Sequence, residues 1–256
     1  MNISIYDLTI EITRRCNQQC EHCLRGQAQN INISIDDVNT LFSKIDFISC
    51  LTLTGGEPSI AVKSINDIID CAIKNNVTIS NFYIATNGKR ITRPFVDVIE
   101  RLYNFCDENE ISRVDISNDK FHEIATETKA FQDLLELEFA GYKWEKSDFN
   151  EKSFNRDNQW AYPYYGNAEN GVINSGLAKE NGLGTKNIEK EEIVVSINDD
   201  NTDAHITEGI LYLNCKGKIL AGCDISFEQQ DKKNSPFLIC DVNDFSIEKV
   251  EQYMKS

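Results

Sequence analysis

The sequence predicts an α/β protein built around a parallel β-sheet. Strand-like and helix-like patterns alternate four times between residues 6 and 138, which is typical of right-handed β–α–β units. Cysteine, glycine and asparagine residues follow directly after the predicted strands, where the loops of such a sheet begin. The chain has 256 residues, 41% of them hydrophobic, which suits one domain, or one domain with a small extension. Barrels and doubly wound sheets both fit this pattern.

The four strand–helix units can be placed by their hydrophobic periodicity. Strands are predicted over 6–13, 47–54, 77–86 and 112–117, and helices over 34–45, 64–75, 93–106 and 124–138. The first helix shows helical spacing clearly, because Val38, Leu41 and Phe42 recur on one face. Ser34 is its predicted N-cap.

The second half of the chain has a weaker pattern. Residues 142–190 are rich in Asn, Lys, Glu, Gly and Tyr, and they predict a long loop region with one short helix. Strands are predicted over 192–197 and 209–214, and the latter forms a small hairpin with 218–221. A last short helix is predicted over 246–254.

Composition and charge exclude several functional classes. The formal net charge is −15, so most of the surface repels a nucleic-acid backbone, and we expect no nucleic-acid partner. No apolar run is long enough to span a bilayer, and the N-terminus lacks the pattern of a signal peptide. We therefore expect a cytoplasmic protein with no membrane partner. Nine cysteines in a reducing compartment indicate metal ligation or catalysis rather than disulfides.

Chemically distinctive residues cluster where the four predicted strands end. The cysteine cluster begins at Cys16, and Gly55 to Pro58, Asn87 and Ser117 follow the next three strands. Because the carboxyl ends of parallel strands meet at one edge of a sheet, these residues are expected to form one site.

The cysteine cluster has the spacing C-x3-C-x2-C, formed by Cys16, Cys20 and Cys23. Three thiolates on one loop can each hold an iron of a [4Fe–4S] cluster and leave the fourth iron open to a ligand. The alternative is a zinc site with His22 or a distant cysteine as the fourth ligand. His22 adjoins Cys23, and adjacent residues rarely both reach one tetrahedral ion.

The spacing and its position after the first strand resemble the signature of the radical S-adenosylmethionine superfamily. The resemblance implies a partial (β/α)6 TIM-type barrel and a cluster whose open iron chelates S-adenosylmethionine. It further implies an oxidoreductase activity that cleaves this cofactor reductively to a 5′-deoxyadenosyl radical. The position before the last cysteine is usually aromatic in that family, and His22 occupies it here.

Later motifs extend the resemblance with less specificity. Gly55-Gly56-Glu57-Pro58 is similar to the family's GGEP motif, which contacts the methionine amino group, although such a stretch is also an ordinary turn. Asn87 and Ser117 match positions near the cofactor, and a plain Asn-Gly turn and a solvent-facing serine are the alternatives. The stretch 166–168 is similar to a segment near the adenine in that family.

Further polar residues near these motifs are also candidates. Asp119 and His122 are candidate substrate-facing residues, with surface or capping roles as the alternative. One of Arg14 and Arg15 tunes the potential of the cluster or contacts the carboxylate of S-adenosylmethionine, and the alternative is that both are solvated cations.

Three C-terminal cysteines resemble the start of a SPASM/twitch extension, which carries auxiliary iron–sulfur clusters in peptide-modifying relatives. Cys215, Cys223 and Cys240 are the candidate ligands of one auxiliary cluster, although Cys215 and Cys223 lie closer together in sequence than usual. The alternative is a hairpin with buried thiols that pack as small hydrophobic side chains. We predict a radical core over 1–200 and the extension over 201–256. Cys50, Cys71 and Cys106 fall on apolar faces and are assigned to the core.

The resemblance predicts a peptide or protein side chain as substrate and an electron donor of the flavodoxin or ferredoxin type. A small-molecule substrate is the alternative within the same class. A zinc-stabilised binding protein is the alternative from another class.

Overall fold

The computed structural model describes residues 2–117, 121–122, 127–142, 172–188 and 190–256. The predicted residues Asp119 and 166–168 lie outside the described residues.

The N-terminal half is a series of strand–helix units. In chain order its elements are β1 (Asn2–Thr13), α1 (Ile35–Phe42), β2 (Phe47–Gly55), α2 (Val62–Asn75), β3 (Thr78–Thr86), α3 (Arg93–Phe105), β4 (Arg113–Ile116), α4 (Lys129–Leu135) and β5 (Ala140–Tyr142). Each strand pairs in parallel with the next, from β1 through β5. All four predicted strands and all four predicted helices are therefore present, and β5 is an additional strand.

The C-terminal half adds strands to the other edge of β1. Its elements are α5 (Gly176–Glu180), β6 (Val194–Ile197), β7 (Asp203–Leu213), β8 (Lys218–Ala221), α6 (Phe227–Asp231), β9 (Leu238–Asp241) and α7 (Ile247–Met254). Strand β7 pairs in parallel with β1, whereas β6, β8 and β9 add antiparallel pairs. The predicted hairpin is confirmed as β7–β8.

Among the described residues these strands form one open sheet in the order β5-β4-β3-β2-β1-β7-β8-β9, with β6 also paired to β7. The predicted α/β class with an open, TIM-type parallel sheet is confirmed. Among the described residues, the sixth strand with parallel pairing is β7, which lies beside β1. No helix in the described part of the chain combines the length and the apolar character that a membrane crossing requires.

Two hydrophobic clusters cover opposite faces of the C-terminal hairpin. Leu211 and Leu213 of β7 belong to the large cluster that also contains the buried side chains of β1 to β4, whereas Tyr212 belongs to a small cluster with Leu220 and Ile225. This alternation follows from the two-residue period of a strand. The large cluster continues through β7 without interruption, so this strand is part of the same core as the strand–helix units.

Candidate functional site

The three cysteines lie on a loop that leaves the carboxyl end of β1. Cys16, Cys20 and Cys23 are all half-buried. The loop is closed at its base by the Gln29 amide, which donates to the Arg14 carbonyl at 2.9 Å, while the Arg14 amide donates to the Ile31 carbonyl at 2.8 Å. The loop therefore starts and returns at one point on the sheet edge.

The Gly-Gly-Glu-Pro turn after β2 is bonded to the start of this loop. The Gly56 amide donates to the Thr13 carbonyl at 2.7 Å, and the Glu57 amide donates to the Arg15 carbonyl at 2.8 Å. A Cβ atom at Gly55 would meet the Thr13 oxygen at 2.1 Å, and one at Gly56 would meet the Arg15 oxygen at 2.2 Å. Both glycines are thus required by the close approach of two backbone segments.

Glu57 joins the carboxyl ends of β2 and β3. Its side chain is buried, and its Oε1 accepts from the Ser59 amide at 2.9 Å and from Thr86 Oγ1 at 2.6 Å. Its Oε2 accepts from the Asn87 amide at 2.8 Å. A carboxylate has about four acceptor positions, so these three bonds leave room for one further donor.

Asn87 and Ser117 complete the same edge of the sheet. Asn87 Nδ2 donates to Asn17 Oδ1 at 2.8 Å and lies 4.0 Å from Cys16 Sγ. The Ser117 amide donates to the Thr86 carbonyl at 2.8 Å. The structure therefore brings together the cysteine loop and the ends of β2, β3 and β4, as the strand-end pattern predicted.

His22 packs in an aromatic group next to Cys23. Its ring stacks on Phe121 with centroids 4.3 Å apart and meets His122 edge-on at 5.2 Å. His122 thus lies beside the cysteine loop.

Helix α5 covers the other side of the loop. The Leu177 amide donates to the Cys23 carbonyl at 2.9 Å, and Asn181 Nδ2 donates to the Glu21 carbonyl at 2.9 Å. Gly176 has a positive φ of 51°, and a Cβ atom there would lie 2.4 Å from the Leu24 oxygen. The short helix predicted within 142–190 is confirmed, and it packs directly on the loop.

Cys16, Cys20 and Cys23 are the side chains that would hold a [4Fe–4S] cluster, with one iron per thiolate. Among the described residues, no group of three or more His, Cys, Asp or Glu side chains is placed to hold one metal ion. The buried side-chain amides Asn17 Nδ2 and Gln18 Nε2 have no hydrogen-bond partner in the described part of the chain. Such donors can serve the sulfur atoms of a cluster or the carboxylate of a ligand.

Burial raises the pKa of the Cys16 thiol, although the Gln18 amide, 3.5 Å from its sulfur, opposes this effect. The proton on this thiol has to leave when a metal binds, because the thiolate is the ligand.

A buried polar network behind the loop was not predicted. Arg14 is fully buried, and its Nε donates to Glu11 at 2.9 Å while its Nη1 donates to Asp231 at 3.0 Å. Arg14 is therefore not a solvated cation, whereas Arg15 is exposed. A usable sequence signal was Glu11, a carboxylate in the middle of an apolar strand, which requires a buried partner.

The three C-terminal cysteines do not lie together. Cys215 is buried beside Glu11, where its amide donates to Glu11 Oε2 at 2.9 Å and its thiol to the Glu11 carbonyl at 3.0 Å. Cys223 belongs to the small hydrophobic cluster and Cys240 to the large one, on the opposite face of the hairpin.

The auxiliary cluster therefore gains no support from this arrangement and stays a prediction. Burial raises the pKa of the Cys215 thiol and raises that of Cys240 to about 11, which disfavours the thiolate that a cluster needs.

Comparison with solved structures finds the same fold in anSMEcpe, a radical S-adenosylmethionine enzyme, with bound AdoMet and the Cp18Cys peptide. The TM-score is 0.57 at 10% sequence identity, over 98% of this chain and 82% of that chain. This chain has the fold of radical S-adenosylmethionine enzymes. A second structure of anSMEcpe, with bound AdoMet and the Kp18Cys peptide, matches with a TM-score of 0.57 at 10% identity, over 98% of this chain and 83% of that chain.

A weaker match covers only part of the chain. Streptococcus suis SuiB bound to precursor peptide SuiA gives a TM-score of 0.33 at 15% identity, over 44% of this chain and 24% of that chain. No protein-family model matches the sequence, and comparison with curated proteins finds no match either.

Proposed function

We propose that the chain is a radical S-adenosylmethionine enzyme acting on a peptide or protein side chain. Cys16, Cys20 and Cys23 bind a [4Fe–4S] cluster, and S-adenosylmethionine binds at its open iron. The observation that supports this proposal is the cysteine loop itself. In a radical S-adenosylmethionine fold, it is hydrogen-bonded to the Gly-Gly-Glu-Pro turn and, through Asn17, to Asn87.

Cys16, Cys20 and Cys23 would hold the cluster, which would supply one electron for cleavage of S-adenosylmethionine to methionine and a 5′-deoxyadenosyl radical that takes a hydrogen atom from the substrate. The chain's own residues hold and orient these groups. In this proposal, the remaining acceptor position of Glu57 accepts a hydrogen bond from the ammonium group of the ligand. Asn87, Ser117 and the ring of His22 line the same edge.

The peptide part of the proposal is supported by anSMEcpe, which matches over nearly the whole of this chain and was solved with peptides bound. The same proposal includes an electron donor of the flavodoxin or ferredoxin type and a cytoplasmic location. It needs no auxiliary cluster, because the radical forms at the cluster of the cysteine loop.

The test is an assay for 5′-deoxyadenosine with protein purified and reconstituted without oxygen. The wild type, reduced in the presence of S-adenosylmethionine and a panel of peptides, is compared with the triple variant Cys16→Ala/Cys20→Ala/Cys23→Ala. The matched control is Cys50→Ala/Cys71→Ala/Cys106→Ala, which removes three cysteines buried away from the loop. Product from the wild type and the control, but not from the loop variant, is expected.

Two outcomes would contradict the proposal. A colourless protein that retains zinc would contradict the proposed [4Fe–4S] cluster. Formation of 5′-deoxyadenosine that no peptide stimulates, with no peptide losing hydrogen, would overturn the peptide substrate and favour a small molecule.

A further inference from the structure

Arg14 is the residue at which the cysteine loop leaves the sheet, and its side chain is enclosed on every side. Its Nη1 donates to both oxygens of Asp231 at 3.0 Å and to Gln29 Oε1 at 3.0 Å, and its Nη2 donates to Gln230 Oε1 at 2.8 Å. Its guanidinium also lies 4.5 Å above the ring of Phe227. One side chain therefore joins both ends of the cysteine loop to helix α6, 217 residues away in sequence.

A second arginine makes a parallel connection at the far end of the loop. Arg25 donates to the carbonyl groups of Cys223 and Ile225, and its own carbonyl accepts from the Phe227 amide at 2.9 Å. Its guanidinium lies 5.1 Å from the ring of Tyr212. The segment from 212 to 231 thus contacts the loop on both sides of the three cysteines.

Disrupting the ion pairs of Arg14 should destabilise the protein, because the guanidinium is buried. The side chains of Arg14 and Glu11 are fully buried and pair at 2.9 Å, and Asp231 is a second carboxylate partner at 3.0 Å. Without the carboxylate of Asp231, the buried guanidinium keeps one of these two carboxylate partners, Glu11, and its charge is less well compensated. The planar fork of arginine also matches four separate acceptors, which a lysine ammonium cannot do.

We propose that Arg14 and Asp231 are positioning residues that hold the cysteine loop in its cluster-binding conformation before the cluster arrives. The C-terminal segment then contributes to cluster binding by bracing the loop, without supplying a ligand. This inference rests on the proposed function only for its second readout, because the first readout uses protein without a cluster.

The first experiment compares amide hydrogen exchange in the cluster-free wild type, Asp231→Asn and Lys216→Met. Asp231→Asn weakens the buried contact with Arg14, whereas Lys216→Met removes the exposed partner of the same carboxylate, at 2.7 Å. We expect residues 16–24 and Gln29 to exchange about tenfold faster or more in Asp231→Asn. The same amides in Lys216→Met should match the wild type, and amides of β2 and β3 should be unchanged in both variants.

The second experiment measures the rate at which a chelator removes iron from reconstituted protein. Release from Asp231→Asn and from Arg14→Lys should be about tenfold faster than from the wild type, in the range for residues that orient metal ligands. Release from Lys216→Met should be unchanged.

The two readouts separate this inference from the proposed function. Loop exchange at the wild-type rate in Asp231→Asn would overturn the inference even if 5′-deoxyadenosine is formed. Failure of the wild type to bind a cluster would overturn the proposed function, and the exchange experiment would still decide the role of Asp231. If β2 and β3 lose protection together with the loop, Asp231 supports the whole fold and the specific role is wrong.

Discussion

At the scale of single residues, the two glycines of the Gly-Gly-Glu-Pro turn have a role that the motif alone does not reveal. The resemblance to the GGEP motif implies that this turn contacts a ligand. In the structure the close approach is to the chain's own backbone at Thr13 and Arg15. A ligand contact by the same turn remains part of the proposed function, and the glycines are required with or without that contact.

The first prediction concerns Gly56→Ala. The new Cβ would meet the Arg15 carbonyl oxygen at 2.2 Å, and backbone on both sides cannot move aside cheaply, so the free energy of unfolding should fall by about 2 kcal/mol or more. Gly141→Ala is the matched control, since nothing lies within 4 Å of its Cβ position. Urea denaturation of the cluster-free protein measures both. Equal stability of the two variants would show that the turn and the loop are not in close contact.

The second prediction concerns Glu57→Gln. Glu57 is the acceptor in all three hydrogen bonds of its side chain. In glutamine, an NH2 group would replace one accepting oxygen and face an N–H or O–H donor, so at least one of these bonds would be lost. The free energy of unfolding should fall by about 1–3 kcal/mol. Glu136→Gln, at an exposed position, should change it by less than about 0.5 kcal/mol. Thermal unfolding followed by circular dichroism tests this, and a neutral Glu57→Gln would contradict the observed bonding.

At the scale of secondary structure, the long elements were predictable from their periodicity. The strands β1 to β3 and the helices α1 to α3 carry enough residues to show a period of two or of 3.6. The strands β5 and β9 and the helix α6, with three to five residues, were not predicted, whereas the four-residue strands β4, β6 and β8 were.

The largest differences between predicted and observed bounds concern the starts of α4 and β7, while β1 begins at Asn2 and not at 6. Helix α4 begins at Lys129 and not at 124, because the Thr128 hydroxyl caps it by accepting from the Phe131 amide at 3.1 Å. Strand β7 begins at Asp203 and not at 209, because its first residues pair with β1 and β6, and sequence alone does not show that pairing.

The third prediction concerns the order in which the cysteines react with an alkylating reagent. The six cysteines outside the loop are buried, and burial raises the pKa of Cys50 and of Cys106 to about 12. Because the thiolate is the reactive form, iodoacetamide should label Cys16, Cys20 and Cys23 of folded, cluster-free protein at pH 8 before any other cysteine.

Peptide mapping by mass spectrometry measures this order of labelling. Labelling of the loop should accelerate as the pH rises, since the thiolate fraction grows, and a reconstituted cluster should suppress it. Labelling of any of the six buried cysteines at the rate of the loop would contradict the prediction.

At the scale of the whole molecule, β7 links the predicted core and extension. It lies between β1 and β8 in the sheet, and its side chains Ala204, Ile206, Leu211 and Leu213 are fully buried. The domain boundary at residue 200 stays a prediction. It would assign β7 to the extension, although β7 pairs with β1 of the core.

The fourth prediction is that residues 1–200 alone do not fold cooperatively. Truncation at 200 exposes one edge of β1 and the apolar surface that β7 covers, and it removes Asp231 from Arg14. The fragment should lack a sigmoidal urea transition, whereas a chain of residues 1–254, which loses only the exposed Lys255 and Ser256, should unfold like the wild type. A cooperative transition in the fragment would support an independent domain over 1–200.

The sequence by itself determined the features that depend on neighbouring residues. The C-x3-C-x2-C spacing, the Gly-Gly-Glu-Pro turn and the four strand–helix units are local patterns, and parallel topology places their loops at one edge. Only the tertiary structure decided that Arg14 is buried against Asp231, that β7 lies beside β1, and that the C-terminal cysteines are dispersed. These outcomes depend on contacts between residues that are distant in sequence. The burial that makes such contacts strong exists only once the chain has folded.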